Sequence, residues 1–346
     1  MSHQDPAASV LPSSSPPPAV ASSGGSKQPL VILVVGMAGT GKTTLVHRLQ
    51  HYSAEQGLRS YFINLDPALL HDPPYDVNID IRDTVNYREV VQQYRLGPNG
   101  GIMTTLNLYA TKFHEVIHIL EKKCKPTTTT SAATKNNEEE EETKGASGAE
   151  EEEDSALDWI VIDTPGQIEV FTWSASGQLI TEALASTFPT VILFVADTTR
   201  CTNPQTFMST MLYSSSIMFK YQLPLLVAFN KTDVSDCNFA MQWMTDMDSL
   251  ADAVKGNKSY SATLTQSLSL FVHEFYESLV TVGVSAVTGA GMDDLRRGLE
   301  KAKVQYAEEF LPIIREREQK KATEDGARMT KQMDALKLDS KRNGEQ

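Results

Sequence analysis

Cysteine is scarce in this chain, and the few that occur are scattered. Cys124, Cys201 and Cys237 form no CxxC pair and have no histidine at ligand spacing. That excludes a cysteine metal site and suits a reducing compartment. Long hydrophobic runs are missing as well. Val31 to Val35 and Val191 to Ala196 are among the longest apolar stretches, far short of the ~20 residues that a membrane helix needs. The first residues lack a basic start followed by an apolar stretch, so no secretory signal is expected. No basic stripe of the kind that tracks a nucleic-acid backbone occurs either. The formal charge of −13 is unevenly spread: residues 138–154 supply −9, leaving −4 for the rest. Direct nucleic-acid binding and membrane spanning are not expected. A cytoplasmic location, a nuclear one or both is.

What is present suffices for a sizeable core. The chain has 346 residues, 40% of them hydrophobic, room for one large α/β domain or two small ones. Residues 1–28 are rich in proline, serine and alanine and are expected to be disordered. Residues 125–156 show no hydrophobic periodicity and carry acidic blocks. They are expected to form a flexible insertion inside the domain, because strand-like sequence resumes at once. The folded domain should span 29–310, followed by a polar, helix-prone tail at 311–346.

Within the domain, short apolar runs at 29–35, 60–65, 157–163, 190–196, 223–229 and 280–285 read as buried strands. Helical periodicity lies between them, as in Phe207, Met211, Leu212 and Ile217, or Leu264, Leu268, Phe271 and Phe275. Near-continuous apolar strands alternating with helices predict an α/β fold, a mostly parallel sheet flanked by helices on both faces, in a single domain with helical insertions. The stretch "WSASGQLITEALASTF" at 173–188 is expected to contribute mainly to the core.

Chemistry enters with "GMAGTGKTT", Gly36 to Thr44, between an apolar strand and a helical pattern. It fits GxxxxGK[ST], the P-loop of nucleoside triphosphate-binding proteins. Gly36, Gly39 and Gly41 let backbone N–H groups converge on phosphate oxygens, with Thr40 and Thr44 part of the same cradle. Lys42 would reach the β- and γ-phosphates, and the Thr43 hydroxyl would bind Mg²⁺. "FNKTD" follows another apolar strand. In such a motif the Asp233 carboxylate accepts guanine N1–H and N2–H₂, a donor pair that adenine lacks. Lys231 can lay its stem along the base, and Asn230 can tie this segment to the P-loop. Ser285 and Ala286 lie after the last strand, where a backbone amide can meet guanine O6. GTP is therefore expected rather than ATP.

Hydrolysis is indicated by "VIDTPGQIEVF". Asp163 at the strand end can hold Mg²⁺ through water, and the Gly166 N–H can sense the γ-phosphate. Gln167 and Glu169 follow at the place where an attacking water would sit, and phosphoryl transfer depends mainly on positioning and charge neutralisation. Asp66 in "NLDPA" ends the second strand on the same edge. It could act on metal or water, or merely start an Asp-Pro turn. "LGPNGGI" at 96–102 reads by itself as a turn.

Taken together, "GMAGTGKTT", "NLDPA", "NIDIRDTV", "LGPNGGI", "DTPGQIEVF", "FNKTD" and "VGVSAVTGAG" resemble the GPN-loop GTPases in order and spacing, over about 30–124 and 157–310. Stretches such as "TNPQTFMSTMLYSSSIM" look most like the family's first paralogue, its nuclear-import branch. The resemblance implies that Gly97, Pro98 and Asn99 form the GPN loop, which reaches across a dimer to the partner's phosphate site. Asn99 would then stabilise charge at the γ-phosphate in trans, while Gly100 and Gly101 permit close backbone approach. Asp66, Gln167 and Glu169 would be its catalytic companions. Two features agree with a need for help from another chain. Related dimeric nucleotidases carry a lysine just after the first P-loop glycine, where this chain has Met37, and no arginine sits in the switch-like motifs.

The resemblance further implies GTP/GDP and Mg²⁺ as ligands, a homodimer or a heterodimer with a paralogue, and RNA polymerase II subunits as clients. It also implies a cytoplasmic protein that shuttles to the nucleus. The acidic insertion has no counterpart in this picture, and the tail is short for the branch. Two other functions remain open at this point. One is a GTP-bound scaffold that does not hydrolyse. The other is a P-loop polynucleotide kinase, against which the NKTD motif and the missing basic groove speak.

Overall fold

A computed structural model describes residues 28–69, 71–124, 156–254, 279–316 and 320. The expected disordered start, all but one residue of the acidic insertion, the Leu264 to Phe275 periodicity and most of the tail lie outside the described residues.

Seven parallel strands form one sheet in the order β3-β2-β4-β1-β5-β6-β7. They are β1 (Leu30–Val35), β2 (Ser60–Asn64), β3 (Ile79–Asp80), β4 (Trp159–Asp163), β5 (Thr190–Asp197), β6 (Leu225–Asn230) and β7 (Val280–Gly283). Six of them match the apolar runs of the sequence. The seventh, β3, is a two-residue edge strand paired with β2, too short to show a period. The chain builds outward from β1 to β2 and β3, returns to place β4 beside β1, and continues on the other side with β5, β6 and β7. Ligands of open parallel sheets sit at such a reversal, beyond the carboxyl ends of the strands.

The two-residue period of a strand sorts the core onto two faces. From β1, Leu30, Ile32 and Val34 face one cluster, with Leu45, Val46 and Leu49 of α1 (Lys42–Glu55) and Leu295 and Leu299 of a helix at Met292–Gln305. Val31, Leu33 and Val35 face the other cluster. That side is covered by the helices at Pro98–Cys124, Ala175–Thr187, Pro204–Tyr221 and Asn238–Thr245. Both faces are thus packed, as continuous apolar strands require.

The helix Pro98–Cys124 buries Ile102, Leu106, Tyr109, Phe113, Val116 and Leu120, the alternating three- and four-residue spacing of a single apolar stripe. It begins inside "LGPNGGI", with proline in its first turn, where the missing N–H costs nothing. The sequence reads this segment as turn chemistry, but in the fold it opens a helix. In the helix Ala175–Thr187, Ile180, Leu184 and Ala185 are buried while Leu179 is 60% exposed; Trp173, just before it, is 53% exposed. The helix Met292–Gln305 continues through a π-helical turn at Tyr306–Phe310 to residue 316, and buried Tyr306 donates its hydroxyl to the Ala185 carbonyl.

Candidate functional site

The carboxyl ends of β1, β2, β4, β5, β6 and β7 converge on one edge of the sheet. The P-loop leaves β1 with Gly39 at φ 82° and Gly41 at φ 89°, left-handed conformations that favour glycine. Space is as tight as the backbone. A Cβ on Gly36 would lie 2.5 Å from the Val195 carbonyl oxygen, and one on Gly41 would lie 2.6 Å from Asn230 Nδ2. Thr40 is buried and donates to the Met37 carbonyl, while Thr44 is exposed on the first turn of α1. The Lys42 ammonium donates to the carbonyls of Gly36 (2.8 Å), Met37 (3.2 Å) and Gly166 (3.4 Å). Burial pushes its pKa down, against the opposing pull of Asp163, Asp66 and Glu169.

Thr43 and Asp163 meet directly: the Thr43 hydroxyl donates to Asp163 Oδ2 at 2.9 Å. Tyr75 donates its hydroxyl to the same oxygen at 3.2 Å. Asp163 is 1% exposed and its pKa is pushed up to about 6, chiefly by burial, with Thr43, Lys42 and Tyr75 opposing and Asp66 reinforcing. Its other oxygen, Oδ1, is buried without a hydrogen-bond partner. A buried carboxylate oxygen left unpaired beside a hydroxyl costs stability unless something binds it. Hard oxygen donors of this kind suit Mg²⁺, which takes few protein ligands and shares phosphate oxygens. The residues present therefore fit the ion that the P-loop implies.

Asp66 closes the site on the β2 side. Asn64, buried at the end of β2, accepts the Asp66 N–H and donates to Asp80, which Arg82 grips through both carboxylate oxygens. Asp66 Oδ1 accepts the Ala68 N–H at 3.0 Å, and Oδ2 accepts the Gly166 N–H at 3.0 Å. Burial raises the Asp66 pKa, and these two amides together with Lys42 and Arg82 oppose the shift. Gln167 and Glu169 follow Gly166, both exposed, on either side of buried Ile168.

On the far side, Asn230 joins three segments. Its Nδ2 donates to the Thr40 carbonyl at 2.9 Å, and its Oδ1 accepts the Lys231 and Ala286 amides. Ser285 is fully buried and donates to Asp233 Oδ1 at 2.6 Å, orienting a carboxylate that is otherwise exposed. Lys231 takes φ 71°, unusual for a side-chain-bearing residue, and its ammonium bonds the Gly39 carbonyl (2.8 Å) and Asp197 Oδ2 (2.7 Å).

The sequence reading missed several residues here. Asp197 is 4% exposed at the end of β5 and holds both Lys231 and the Thr199 hydroxyl. Burial raises its pKa, but Lys231 and Thr199 outweigh burial and hold it below 3.8. The signal was available: a strand-end aspartate in "FVAD", on the same edge as the others. Arg48 of α1 donates to the Ala286 and Val287 carbonyls and braces that loop. Arg200 reaches the P-loop from outside the switch-like motifs, at 3.4 Å from the Ala38 carbonyl. Tyr75 sits in no motif at all.

The expected GPN residues stand apart. Gly97, Pro98 and Asn99 are exposed, and among the described residues no hydrogen bond joins them to the P-loop. Gly101 has a local reason to be glycine: a Cβ there would lie 2.5 Å from Val91 Cγ2 and 2.9 Å from the Tyr87 ring, both on the preceding helix Tyr87–Tyr94. The close approach that it permits is with this chain's own helix.

Fold and site define a P-loop nucleoside triphosphate-binding protein. Residues 34–305 match a family described as "Conserved hypothetical ATP binding protein". GPN-loop GTPase 1 of Dictyostelium discoideum is 46% identical over 313 residues, 90% of this chain and 71% of its own length. GPN-loop GTPase QQT2 of Arabidopsis thaliana is 49% identical over 277 residues, 80% of this chain and 65% of its own. The chain thus spans about two thirds of the length of these relatives. It belongs to the GPN-loop GTPase family. The crystal structure of a GTPase in apo form from Pyrococcus abyssi shares the fold, with a TM-score of 0.61 at 22% identity over 79% of this chain and 97% of that one.

Proposed function

We propose that this protein binds GTP with Mg²⁺ and hydrolyses it. The observation that carries the reading is the Ser285–Asp233 hydrogen bond of 2.6 Å, on a segment that Asn230 fastens to the P-loop. It presents an oriented carboxylate, suited to the two donors of guanine, at a set distance from the phosphate cradle. An adenine would set its amino group where the site offers donors, and the unpaired polar groups would cost affinity. The family description mentions ATP and the named relatives GTP; the Asp233 arrangement favours GTP.

Lys42 and the amides of Gly36 to Gly41 neutralise phosphate charge. Thr43 and Asp163 would hold Mg²⁺, which would supply further neutralisation of phosphate charge. At the γ end, Gln167 orients the attacking water and the carboxylates of Asp66 and Glu169 position it and accept its proton. Asn99 of a second chain completes the charge stabilisation. The Ala286 N–H, which now donates to Asn230 Oδ1, turns to the base carbonyl. The resulting GTP and GDP forms alternate a dimer, of two copies or of this chain with a paralogue, between client-holding and client-releasing states. Family resemblance supplies the client, RNA polymerase II subunits in assembly and nuclear import, and with it a cytoplasmic protein that shuttles to the nucleus. Among the described residues no helix is long and apolar enough to cross a membrane.

The test is hydrolysis of GTP with ATP as control, on wild type and Asp233→Asn. Wild type is expected to cleave GTP and not ATP. The variant should lose about a hundredfold in GTP affinity and gain xanthosine triphosphate, whose carbonyl accepts the new amide donor. Tight GTP binding without cleavage would identify a scaffold, and equal use of ATP would overturn the base assignment.

A further inference from the structure

We propose that Asp66, besides acting on water, is the residue by which the protein tells triphosphate from diphosphate: its carboxylate competes with the γ-phosphate for the Gly166 amide. The inference rests on the P-loop reading above and extends it to how the nucleotide is sensed. Gly166 follows the strand that carries Asp163, and its carbonyl lies 3.4 Å from the Lys42 ammonium. That ammonium belongs at the β- and γ-phosphates of a bound nucleotide, so the neighbouring Gly166 N–H is within reach of the γ-phosphate and not of groups further along the nucleotide. In the structure this donor is already engaged, by Asp66 Oδ2 at 3.0 Å. One N–H cannot make two full hydrogen bonds, and a carboxylate beside a γ-phosphate adds like-charge repulsion. A triphosphate must therefore move Asp66 off Gly166. A diphosphate leaves the contact alone.

The surroundings allow the displacement. The opposite oxygen, Oδ1, caps the Ala68 amide, so the carboxylate moves with the segment Asp66-Pro67-Ala68 rather than alone. Pro67 and Ala68 form one wall of a cavity of about 250 Å³ whose other walls include Arg82, Asn86 and Tyr87. There is room for the segment to shift without unpacking the sheet. Tyr87 in turn donates its hydroxyl to the Pro98 carbonyl. The cavity that Pro67 and Ala68 line is thus bounded also by a residue bonded to the start of the helix that bears Asn99, and a shift at the γ-phosphate is felt where the second chain would be engaged. A released Asp66 carboxylate also becomes free to accept from water, so sensing and preparation for hydrolysis are one movement.

Two variants separate this role from catalysis. In Asp66→Asn the oxygen can keep the Ala68 bond, but the new amide group faces the Gly166 N–H donor to donor. Asp66→Ala removes both bonds. Each is titrated at equilibrium with GDP and with a non-hydrolysable GTP analogue, both fluorescently labelled, in excess Mg²⁺. Both variants should shift the affinity ratio toward the triphosphate by at least about fivefold relative to wild type, since the competitor and its charge are gone. Asp66→Asn reports even if Asp66→Ala is poorly folded. A ratio unchanged in both overturns the proposal and leaves Asp66 a catalytic group alone, as does a ratio that moves toward GDP. Loss of hydrolysis bears only on the catalytic role. A wild type that binds adenine nucleotides instead would sink the base assignment, and the same ratio would then be read with ADP and a non-hydrolysable ATP analogue.

Discussion

Asp197 shows how much of this site depends on residues that belong to no motif. Its carboxylate, buried at the end of β5, fixes the ammonium of Lys231, and Lys231 holds a left-handed backbone between β6 and Asp233. Asp197→Ala is expected to weaken GTP binding about tenfold, ~1.4 kcal/mol, with little change in the rate of cleavage at saturation; nucleotide titration against single-turnover rates separates the two. The same carboxylate makes an acid-side contribution to stability. Its folded pKa lies below the ordinary 3.8, so the contribution is fully present above that value and is lost as pH falls through the folded pKa. Denaturation between pH 5 and 2 should therefore be less steeply pH-dependent in Asp197→Asn than in wild type; equal slopes would contradict it. In the sequence, Lys42, Thr43, Asp163, Asn230 and Asp233 were legible because local spacing carries their chemistry. Arg48, Arg200 and Tyr75 were not, because partners that place them at the site lie far along the chain, 238 residues away for Arg48 and Ala286, and only the fold joins them; for Asp197 the sequence offered only its place at a strand end, not its bond to Lys231.

The helix Pro98–Cys124 makes the corresponding point among elements. Pro-Asn-Gly-Gly has the composition of a turn, and the two glycines mask the fact that the apolar stripe begins at Ile102 and continues to Leu120. Only the packing distinguishes those glycines. A Cβ on Gly100 would meet nothing closer than 3.6 Å, from Leu96, whereas one on Gly101 would collide with Val91 and Tyr87. Gly100→Ala should therefore leave the melting temperature equal or raise it, since alanine favours helix by up to ~1 kcal/mol. Gly101→Ala should lower stability by ~1–3 kcal/mol, the cost of overpacking between the two helices. Thermal unfolding of both variants checks this, and equal melting temperatures would refute the packing account. Strands β1, β4, β5 and β6 were legible because burial on both faces makes them almost continuously apolar, and β2 and β7 from shorter, partly buried apolar runs. The edge strand Ile79–Asp80 was not, since its place is set by pairing with β2 and by the Asn64–Asp80–Arg82 bonds.

At the scale of the whole molecule, one sheet edge gathers the P-loop, the Thr43–Asp163 pair, Asp66 with Gly166, and Asp233 with Ser285, while the exposed Gly97-Pro98-Asn99 segment, where the helix Pro98–Cys124 begins, lies outside that gathering. Under the function proposed above, Asn99 serves the γ-phosphate of another chain, since among the described residues no hydrogen bond joins it to its own P-loop. The most direct measurement is single-turnover GTP hydrolysis by wild type and Asn99→Ala over a range of protein concentrations, with GTP affinity measured in parallel. The account predicts a wild-type rate per site that rises as chains associate. It also predicts that Asn99→Ala binds GTP as wild type does but cleaves it at least about tenfold more slowly, a loss of ~1.4 kcal/mol or more of transition-state stabilisation. Equal rates for the two proteins, or a wild-type rate independent of concentration through the onset of association, would contradict it.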